Sequence, residues 1–118
     1  MATGRILVVA PELDLRRSLE FVLEAEGFEV LSRPRIDFGN PLANGRFDCT
    51  VLDHRALAGP PERAIRFCTM ANPVVLLSSK TIPWLTAWVA CVVEKPLLGD
   101  SLSRAVRQAT GLGGVRSH

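Results

Sequence analysis

The sequence predicts an α/β fold in which helices cover both sides of a doubly wound parallel sheet of five strands. Five short apolar runs rich in Val, Leu and Ile mostly lack polar alternation, as expected of strands buried on both faces. Segments with helical signals separate these runs, and parallel strands need such crossovers. The 118 residues, 47% of them hydrophobic, fit a single domain. We predict one domain over residues 1–118, with a core of about 5–110 and a loose tail at 111–118.

The strands are predicted at the five apolar runs, which are Ile6–Val9, Phe28–Leu31, Cys49–Leu52, Val74–Leu77 and Cys91–Val93. For a chain of this size with right-handed crossovers, the leading strand order is 2-1-3-4-5, which is the flavodoxin-like order. Such a sheet places its functional crevice at the carboxyl ends of the strands, where the order reverses between strands 1 and 3.

The first helix carries the clearest helical signal and is predicted from about Leu13 to Glu26. Its apolar stripe is predicted to consist of Leu15, Leu19, Val22 and Leu23. The charged residues expected to face outward are Arg16, Arg17, Glu20 and Glu24. Gly27 follows the last turn, at a position that often requires positive φ.

The other helices are shorter, and the sequence predicts that the second and fourth are reduced. Prolines and glycines in the connection Ser32–Asp48 limit a second helix to a turn or two. The third helix is predicted from Pro60-Pro61 to about Met70. The fourth is predicted from about Ile82 to Ala90, with Thr81 as its cap, and the last from about Ser101 to Ala109, with Asp100 as its N-cap and Leu102, Ala105 and Val106 facing inward.

Composition excludes several functional classes. The net charge of +2 is small and the arginines are scattered, which argues against nucleic-acid binding. The three cysteines form no CxxC pair, so we expect buried free thiols and a reducing, cytoplasmic location. No apolar stretch is long enough to cross a membrane.

Chemically useful side chains follow four of the predicted strands. They lie in the segments Ala10-Pro11-Glu12, Asp53-His54-Arg55, Ser78-Ser79-Lys80 and Glu94-Lys95-Pro96. Because the carboxyl ends of parallel strands meet at one edge of the sheet, a carboxylate, a hydroxyl and a lysine are expected to converge there.

These segments resemble a known family. VVAPELDLRRSLEFVLEAEGFEV resembles the opening of a response-regulator receiver domain of the CheY-like superfamily, and FDCTVLD resembles its third strand. PVVLLSS and VVEKPL resemble its fourth and fifth strands. The resemblance extends from about Arg5 to Thr110, and its most specific feature is the pair Lys95-Pro96 before the final helix.

The resemblance implies a role for four residues. Asp53 matches the aspartate that accepts a phosphoryl group from a histidine kinase, and Lys95 matches the lysine that contacts the phosphoryl oxygens. Ser78 matches the hydroxyl residue that binds the phosphoryl group, although Ser79 is an alternative match. Pro96 matches a proline whose preceding peptide bond is usually cis. The implied protein is a phospho-acceptor and not a conventional enzyme, and its partner is a sensor histidine kinase or a phosphotransfer protein.

The sequence departs from the family at the metal pocket. Ala10 and Pro11 occupy the positions of two adjacent acids that help to hold magnesium. The remaining candidate ligands are Asp53, Glu12 and the backbone carbonyl of Arg55, so we expect Mg²⁺ binding to be weak. The switch apparatus also differs, because Leu57 replaces a proline and Val92 replaces an aromatic residue of the fifth strand.

Several alternatives remain open at this point. The same fold could act as a pseudo-receiver, which is not phosphorylated and binds a protein partner constitutively. Glu12 could serve only as a favourable charge at a helix N-terminus, and the Ser78 hydroxyl could bond the backbone. Trp84 and Trp88 share one helix face and either fill the core or bind a protein partner. A homodimer is a separate possible assembly of the chain.

Two other classes with this type of fold lack their defining residues. A flavodoxin-type flavin carrier needs a Ser/Thr-rich phosphate loop after the first strand, which Ala10-Pro11-Glu12 does not provide. A phosphocysteine sugar-transport subunit needs a cysteine at the same place, and the segment contains none.

Overall fold

A computed structural model of the chain describes residues 4–36, 47–57, 59–71, 73–80, 82–95 and 100–111. Five strands form one parallel sheet, and they are β1 (Arg5–Val9), β2 (Glu29–Arg33), β3 (Cys49–Asp53), β4 (Val74–Ser78) and β5 (Cys91–Glu94). Their spatial order is β2-β1-β3-β4-β5. The predicted fold class and strand order are therefore confirmed, and β1 lies beside β3 at the switch point.

The described helices are α1 (Leu13–Ala25), α2 (Pro61–Met70), α3 (Pro83–Thr86) and α4 (Ser101–Thr110), with a short 3₁₀ turn at His54–Ala56. Alternate residues of the strands pack into two separate hydrophobic cores, one on each face of the sheet. Ile6 and Val8 pack with residues of α1 and α4 on one face of the sheet. Leu7 and Val9 pack with residues of α2 and α3 on the other face. This two-sided burial explains why the strand sequences show no polar alternation.

The observed ends of α1 agree with the prediction, but the predicted apolar stripe of this helix is partly wrong. Gly27 has a φ of 98°, and Phe28 N–H donates to Leu23 O over 3.1 Å, which closes the helix with a left-handed glycine. Leu19 and Leu23 are buried as predicted, whereas Val22 is 38% exposed. Val22 lies beyond the edge of the stripe because only the face next to the sheet is covered.

The predicted fourth helix is wrong in length, since α3 is helical only over Pro83–Thr86. The following segment must join the sheet, and Ala90 N–H already donates to Val74 O over 2.8 Å. The predicted second helix falls mainly on residues 37–46, and Thr81, the predicted cap of the fourth helix, also lies outside the described residues. The tail prediction likewise concerns residues 112–118, which are outside them.

Asp100 occupies the N-cap position of α4, but its side chain makes no capping hydrogen bond. Instead, Asp100 Oδ1 lies 3.1 Å from Arg104 Nε, one turn further along the helix. The carboxylate is thus engaged by the guanidinium and not by the helix amides. The inward residues of α4 are as predicted, because Leu102, Ala105 and Val106 are all buried.

The free thiols and tryptophans occupy different environments. Cys49 and Cys68 are buried, as predicted, whereas Cys91 is only partly buried. Trp84 is 44% exposed and Trp88 is 45% exposed, so the interpretation that they fill the core is wrong. Leu85, which lies between them, fills that space instead. None of the described helices is long and apolar enough to cross a bilayer.

Candidate functional site

The strand register brings the predicted site residues to one edge of the sheet. Val9 of β1 pairs with Leu52 of β3, so Ala10 lies beside Asp53 where these two strands end. Asp53 itself pairs with Leu77 of β4. On the far side, Lys95 N–H donates to Ser78 O over 3.0 Å. The predicted convergence at the carboxyl ends of the strands is therefore observed.

Asp53 is the buried charge at the centre of this site. Its side chain is 0% exposed, and Lys95 Nζ lies 2.5 Å from Asp53 Oδ1. Neither carboxylate oxygen has a partner in hydrogen-bond geometry among the described residues. A buried carboxylate is costly unless a charge compensates it, so the ion pair with Lys95 is what makes this position tolerable.

His54 is a second nitrogen donor beside the carboxylate. Its Nδ1 lies 3.3 Å from Asp53 Oδ1 and 3.2 Å from Leu77 O. Because a carbonyl can only accept a hydrogen bond, the contact with Leu77 places the proton on Nδ1. His54 was not among the predicted site residues, since its position depends on the β3–β4 register and on the 3₁₀ turn that begins at this residue.

Ser78 lies at the same edge, but its hydroxyl is turned to the backbone. The Oγ donates to Lys80 O over 2.5 Å and accepts from Lys80 N–H over 3.2 Å. The side chain is buried, and this local turn matches the alternative in which the serine bonds the backbone. A contact with a phosphoryl group would require the hydroxyl to leave Lys80 O.

Arg16 reaches the end of β1, contrary to its predicted outward position. One of its guanidinium nitrogens donates to Ala10 O over 2.8 Å and to Pro11 O over 3.4 Å. Arg16 lies in the first turn of α1, where a long side chain can extend back past the helix start. A cation therefore contacts the backbone of the two residues at which the resemblance would put acids.

The donor set does not suit a divalent metal ion. Ala10 and Pro11 carry no side-chain oxygen, and Asp53 Oδ1 is already in contact with Lys95. Glu12 is 54% exposed, and its Oε1 lies 3.5 Å from Arg55 Nη1. Magnesium needs several oxygen ligands in near-octahedral geometry. Among the described residues, no three His, Cys, Asp or Glu side chains cluster in a way that could hold a metal ion.

The remaining positions of the predicted switch are only partly described. Pro96 lies outside the described residues, so the predicted cis bond before it stays a prediction. Leu57 packs against the core that contains α2 and α3. Val92, in the position of the family's aromatic residue, is 40% exposed on the edge strand β5.

Solved structures with the same fold include receiver domains. Chemotaxis protein CheY4 of Vibrio cholerae has a TM-score of 0.70 and 19% identity, with 92% of this chain and 99% of that chain covered. The receiver domain of a Pseudomonas aeruginosa sensor histidine kinase, with magnesium in its active-site cleft, has a TM-score of 0.73 and 20% identity, covering 93% and 99%. The HemR receiver domain of Leptospira biflexa has a TM-score of 0.74 and 20% identity, covering 97% and 98%.

No protein-family model matches the sequence, and no curated protein matches it. The likeness is therefore one of fold: the described part of the chain has the CheY-like receiver fold. At identities of 18–20% in several of these structures, the roles of individual residues must be argued from the site itself.

Proposed function

We propose that this chain, which has the receiver fold, is a receiver module of two-component signalling that accepts a phosphoryl group on Asp53. The observation that carries the proposal is the buried Asp53 carboxylate at the β1/β3 switch point, with Lys95 Nζ 2.5 Å from one oxygen. The second oxygen, Oδ2, has no hydrogen-bond partner among the described residues. A carboxylate with one oxygen neutralised and the other unengaged is suited to nucleophilic attack.

The reaction forms one bond and breaks one bond. An oxygen of Asp53 attacks phosphorus in line, and the bond between phosphorus and the donor's leaving atom breaks, with the leaving group keeping the electron pair. Lys95 meets the charge on the transferred group as a point charge. Because Asp53 is 0% exposed, a donor gains access to its carboxylate only when the groups that cover it move aside.

The proposed donors are a sensor histidine kinase or a phosphotransfer protein. One of the solved receiver domains with this fold belongs to a sensor histidine kinase. Mg²⁺ is proposed to bind weakly here, because Ala10 and Pro11 replace the expected acids and Glu12 is engaged by Arg55. The chain would act as a phospho-acceptor in the cytoplasm and not as a conventional enzyme.

The test is the intact-protein mass after incubation with acetyl phosphate in magnesium buffer. We expect the native chain to gain the mass of one phosphoryl group, and the Asp53→Asn variant to gain none. Asp14→Asn is the matched control, since Asp14 is an exposed aspartate in the first turn of α1. An adduct that persists in Asp53→Asn would contradict the assignment of the acceptor.

A second candidate function is that of a pseudo-receiver, which binds a partner without phosphorylation. Complete burial of Asp53 and the loss of the acids at Ala10 and Pro11 favour it. The proposed binding surface is formed by Trp84 and Trp88, and its proposed occupant is a second copy of the chain.

Sedimentation equilibrium of the native chain and of Trp88→Ser tests that surface. The pseudo-receiver predicts a native dimer without acetyl phosphate, and a monomer for Trp88→Ser. The matched control is Phe21→Ser, which changes an aromatic residue that is 75% exposed on α1. A native chain that sediments as a monomer at all concentrations would reject a copy of the chain as the occupant.

A further inference from the structure

His54 lies against the acceptor carboxylate and has no assigned role in the proposed reaction. Its Nδ1–H donates to Leu77 O over 3.2 Å, and Nδ1 lies 3.3 Å from Asp53 Oδ1. The hydrogen is directed at the carbonyl, so the contact with the carboxylate is electrostatic and lacks the geometry of a hydrogen bond. The imidazole is 14% exposed and the carboxylate is 0% exposed. Water therefore screens this contact much less than it would at the protein surface.

Two features of the backbone fix the position of the His54 ring. Asp53 pairs with Leu77 in the parallel register, which brings the Leu77 carbonyl to the end of β3. His54 begins the 3₁₀ turn, and Leu57 N–H donates to His54 O over 3.0 Å, which closes that turn. The turn holds the main chain of His54 and the Leu77 carbonyl holds its ring, so the imidazole has a fixed place beside the carboxylate.

The Asp53 carboxylate needs such a contact, because its own terminal torsion is only loosely fixed. Torsions between an sp³ and an sp² carbon, such as χ2 of aspartate, have broad minima. Lys95 Nζ lies 2.5 Å from Oδ1, but an ammonium on a flexible stem acts as a point charge and does not define a plane. With His54 Nδ1 near the same oxygen, two nitrogen groups restrict rotation of the carboxylate. Oδ2 is then the oxygen without a hydrogen-bonding or ionic partner among the described residues.

We propose that His54 is a positioning residue for phosphoryl transfer to Asp53. It acts through the carboxylate: its Nδ1–H, anchored by Leu77 O, holds Oδ1 so that Oδ2 keeps one orientation for in-line attack. This inference rests on the proposed function and adds a residue to it. Transfer depends steeply on alignment, since a displacement of about 1 Å can lower a rate by a factor of about 10².

The experiment measures the initial rate at which the chain forms an adduct with acetyl phosphate in magnesium buffer, followed by intact mass. His54→Leu removes the N–H and keeps a side chain of moderate size, and it should lower the rate about tenfold. In asparagine the amide nitrogen is as many bonds from the backbone as Nδ1 is in histidine. His54→Asn should therefore return the rate to within about threefold of the native value.

Cys68→Ala is the matched control for a general loss of stability. Cys68 is buried in the last turn of α2, which leads to the amino end of β4, whereas Asp53 lies at the carboxyl ends of the strands. This variant should leave the rate unchanged at a temperature where every variant is folded. If His54→Leu does not fold, His54→Gln replaces it, since the amide nitrogen of glutamine lies one bond further out than Nδ1.

A second measurement does not depend on phosphoryl transfer. Urea unfolding of the native chain, His54→Leu, Asp53→Asn and the double variant gives a double-mutant cycle. If the ring contacts the carboxylate, His54→Leu should raise the unfolding equilibrium constant about fivefold more in the native background than in the Asp53→Asn background. If the ring only bonds Leu77 O, the two effects should be equal.

Three results would overturn the inference: a native rate in His54→Leu, a rate in His54→Asn as low as in His54→Leu, or equal effects in the two backgrounds of the cycle. In the first two cases the native chain still forms its adduct, so phospho-acceptance stands and only the role of His54 is rejected. A native chain that forms no adduct rejects phospho-acceptance instead. The cycle then decides on His54 alone, because a fivefold difference supports its hold on the carboxylate and equal effects reject it.

Discussion

Replacement of Lys95 by methionine should lower the free energy of unfolding far more than replacement of a lysine near the protein surface usually does. The change removes the ammonium that lies 2.5 Å from Asp53 Oδ1 and leaves a carboxylate that is 0% exposed without its compensating charge. Breaking a buried ion pair in this way typically costs roughly 3–5 kcal/mol. Lys95 is itself 17% exposed, so water reaches one side of the pair and we expect the lower end, about 3 kcal/mol.

The assay is thermal and urea unfolding followed by circular dichroism. For a chain of 118 residues, a loss of about 3 kcal/mol lowers the Tm by roughly 12 °C, at about 4 °C per kcal/mol. The matched control is Lys80→Met, because Lys80 is exposed and its described bonds to Ser78 use only its backbone. That variant should change the free energy of unfolding by less than about 0.5 kcal/mol.

A double variant separates the charge effect from lost packing. Asp53→Asn removes the buried charge, so Lys95→Met combined with Asp53→Asn should recover about 2 of the roughly 3 kcal/mol. Ion pairs on the protein surface typically contribute less than about 1 kcal/mol. If Lys95→Met lowers the free energy of unfolding by no more than that, the buried position of the pair does not determine its contribution, and the prediction is refuted. A double variant as unstable as the single one would refute it as well, since the loss would then be one of packing.

The remaining predictions concern the core and the thiols. Phe67→Ala should lower the free energy of unfolding by about 3–5 kcal/mol, because Phe67 is 1% exposed. Phe21→Ala, at a residue that is 75% exposed, should lower it by less than about 0.5 kcal/mol. Equal losses in the two variants would contradict the assignment of Phe67 to the core and of Phe21 to the surface. Burial raises the pKa of the Cys49 thiol to about 12 and that of the Cys68 thiol to about 11. A thiol reagent at pH 8 should therefore label only Cys91 in the native chain, and all three cysteines in urea. Rapid labelling of Cys68 in the native chain would contradict this prediction. The thiols of the unfolded chain ionise near their ordinary pKa of 9.0, so above that pH the unfolded state binds fewer protons than the native state. The free energy of unfolding should therefore fall as the pH rises from 9 toward 12, and it should fall less steeply in Cys49→Ala. Equal slopes of the free energy against pH in the native chain and in Cys49→Ala would contradict this prediction.

The strand order and the position of Asp53 could be predicted because burial on both faces marks each strand strongly. The five apolar runs predicted every strand to within about two residues, and the register then followed from parallel pairing. The convergence of Asp53 and Lys95 needed only the rule that strand ends share one edge of the sheet.

The errors have local physical causes. Helical periodicity placed Arg16 outward, but periodicity describes the body of a helix and not a long side chain in its first turn. The prediction for α3 was too long because proline and capping signals mark a helix start, while the end was set by the bond from Ala90 to Val74 on β4. The contact of His54 with Leu77 O depends on tertiary register, which leaves no signal in the sequence.

The most direct test of phospho-acceptance is the intact mass of the native chain after incubation with acetyl phosphate, measured in EDTA and in magnesium. We predict an adduct on Asp53, because its buried carboxylate lies at the β1/β3 switch point with Lys95 Nζ 2.5 Å from one oxygen. An adduct in magnesium alone would show that transfer needs the metal even though Ala10 and Pro11 replace the expected acids. No adduct in either buffer would contradict phospho-acceptance itself and favour the pseudo-receiver.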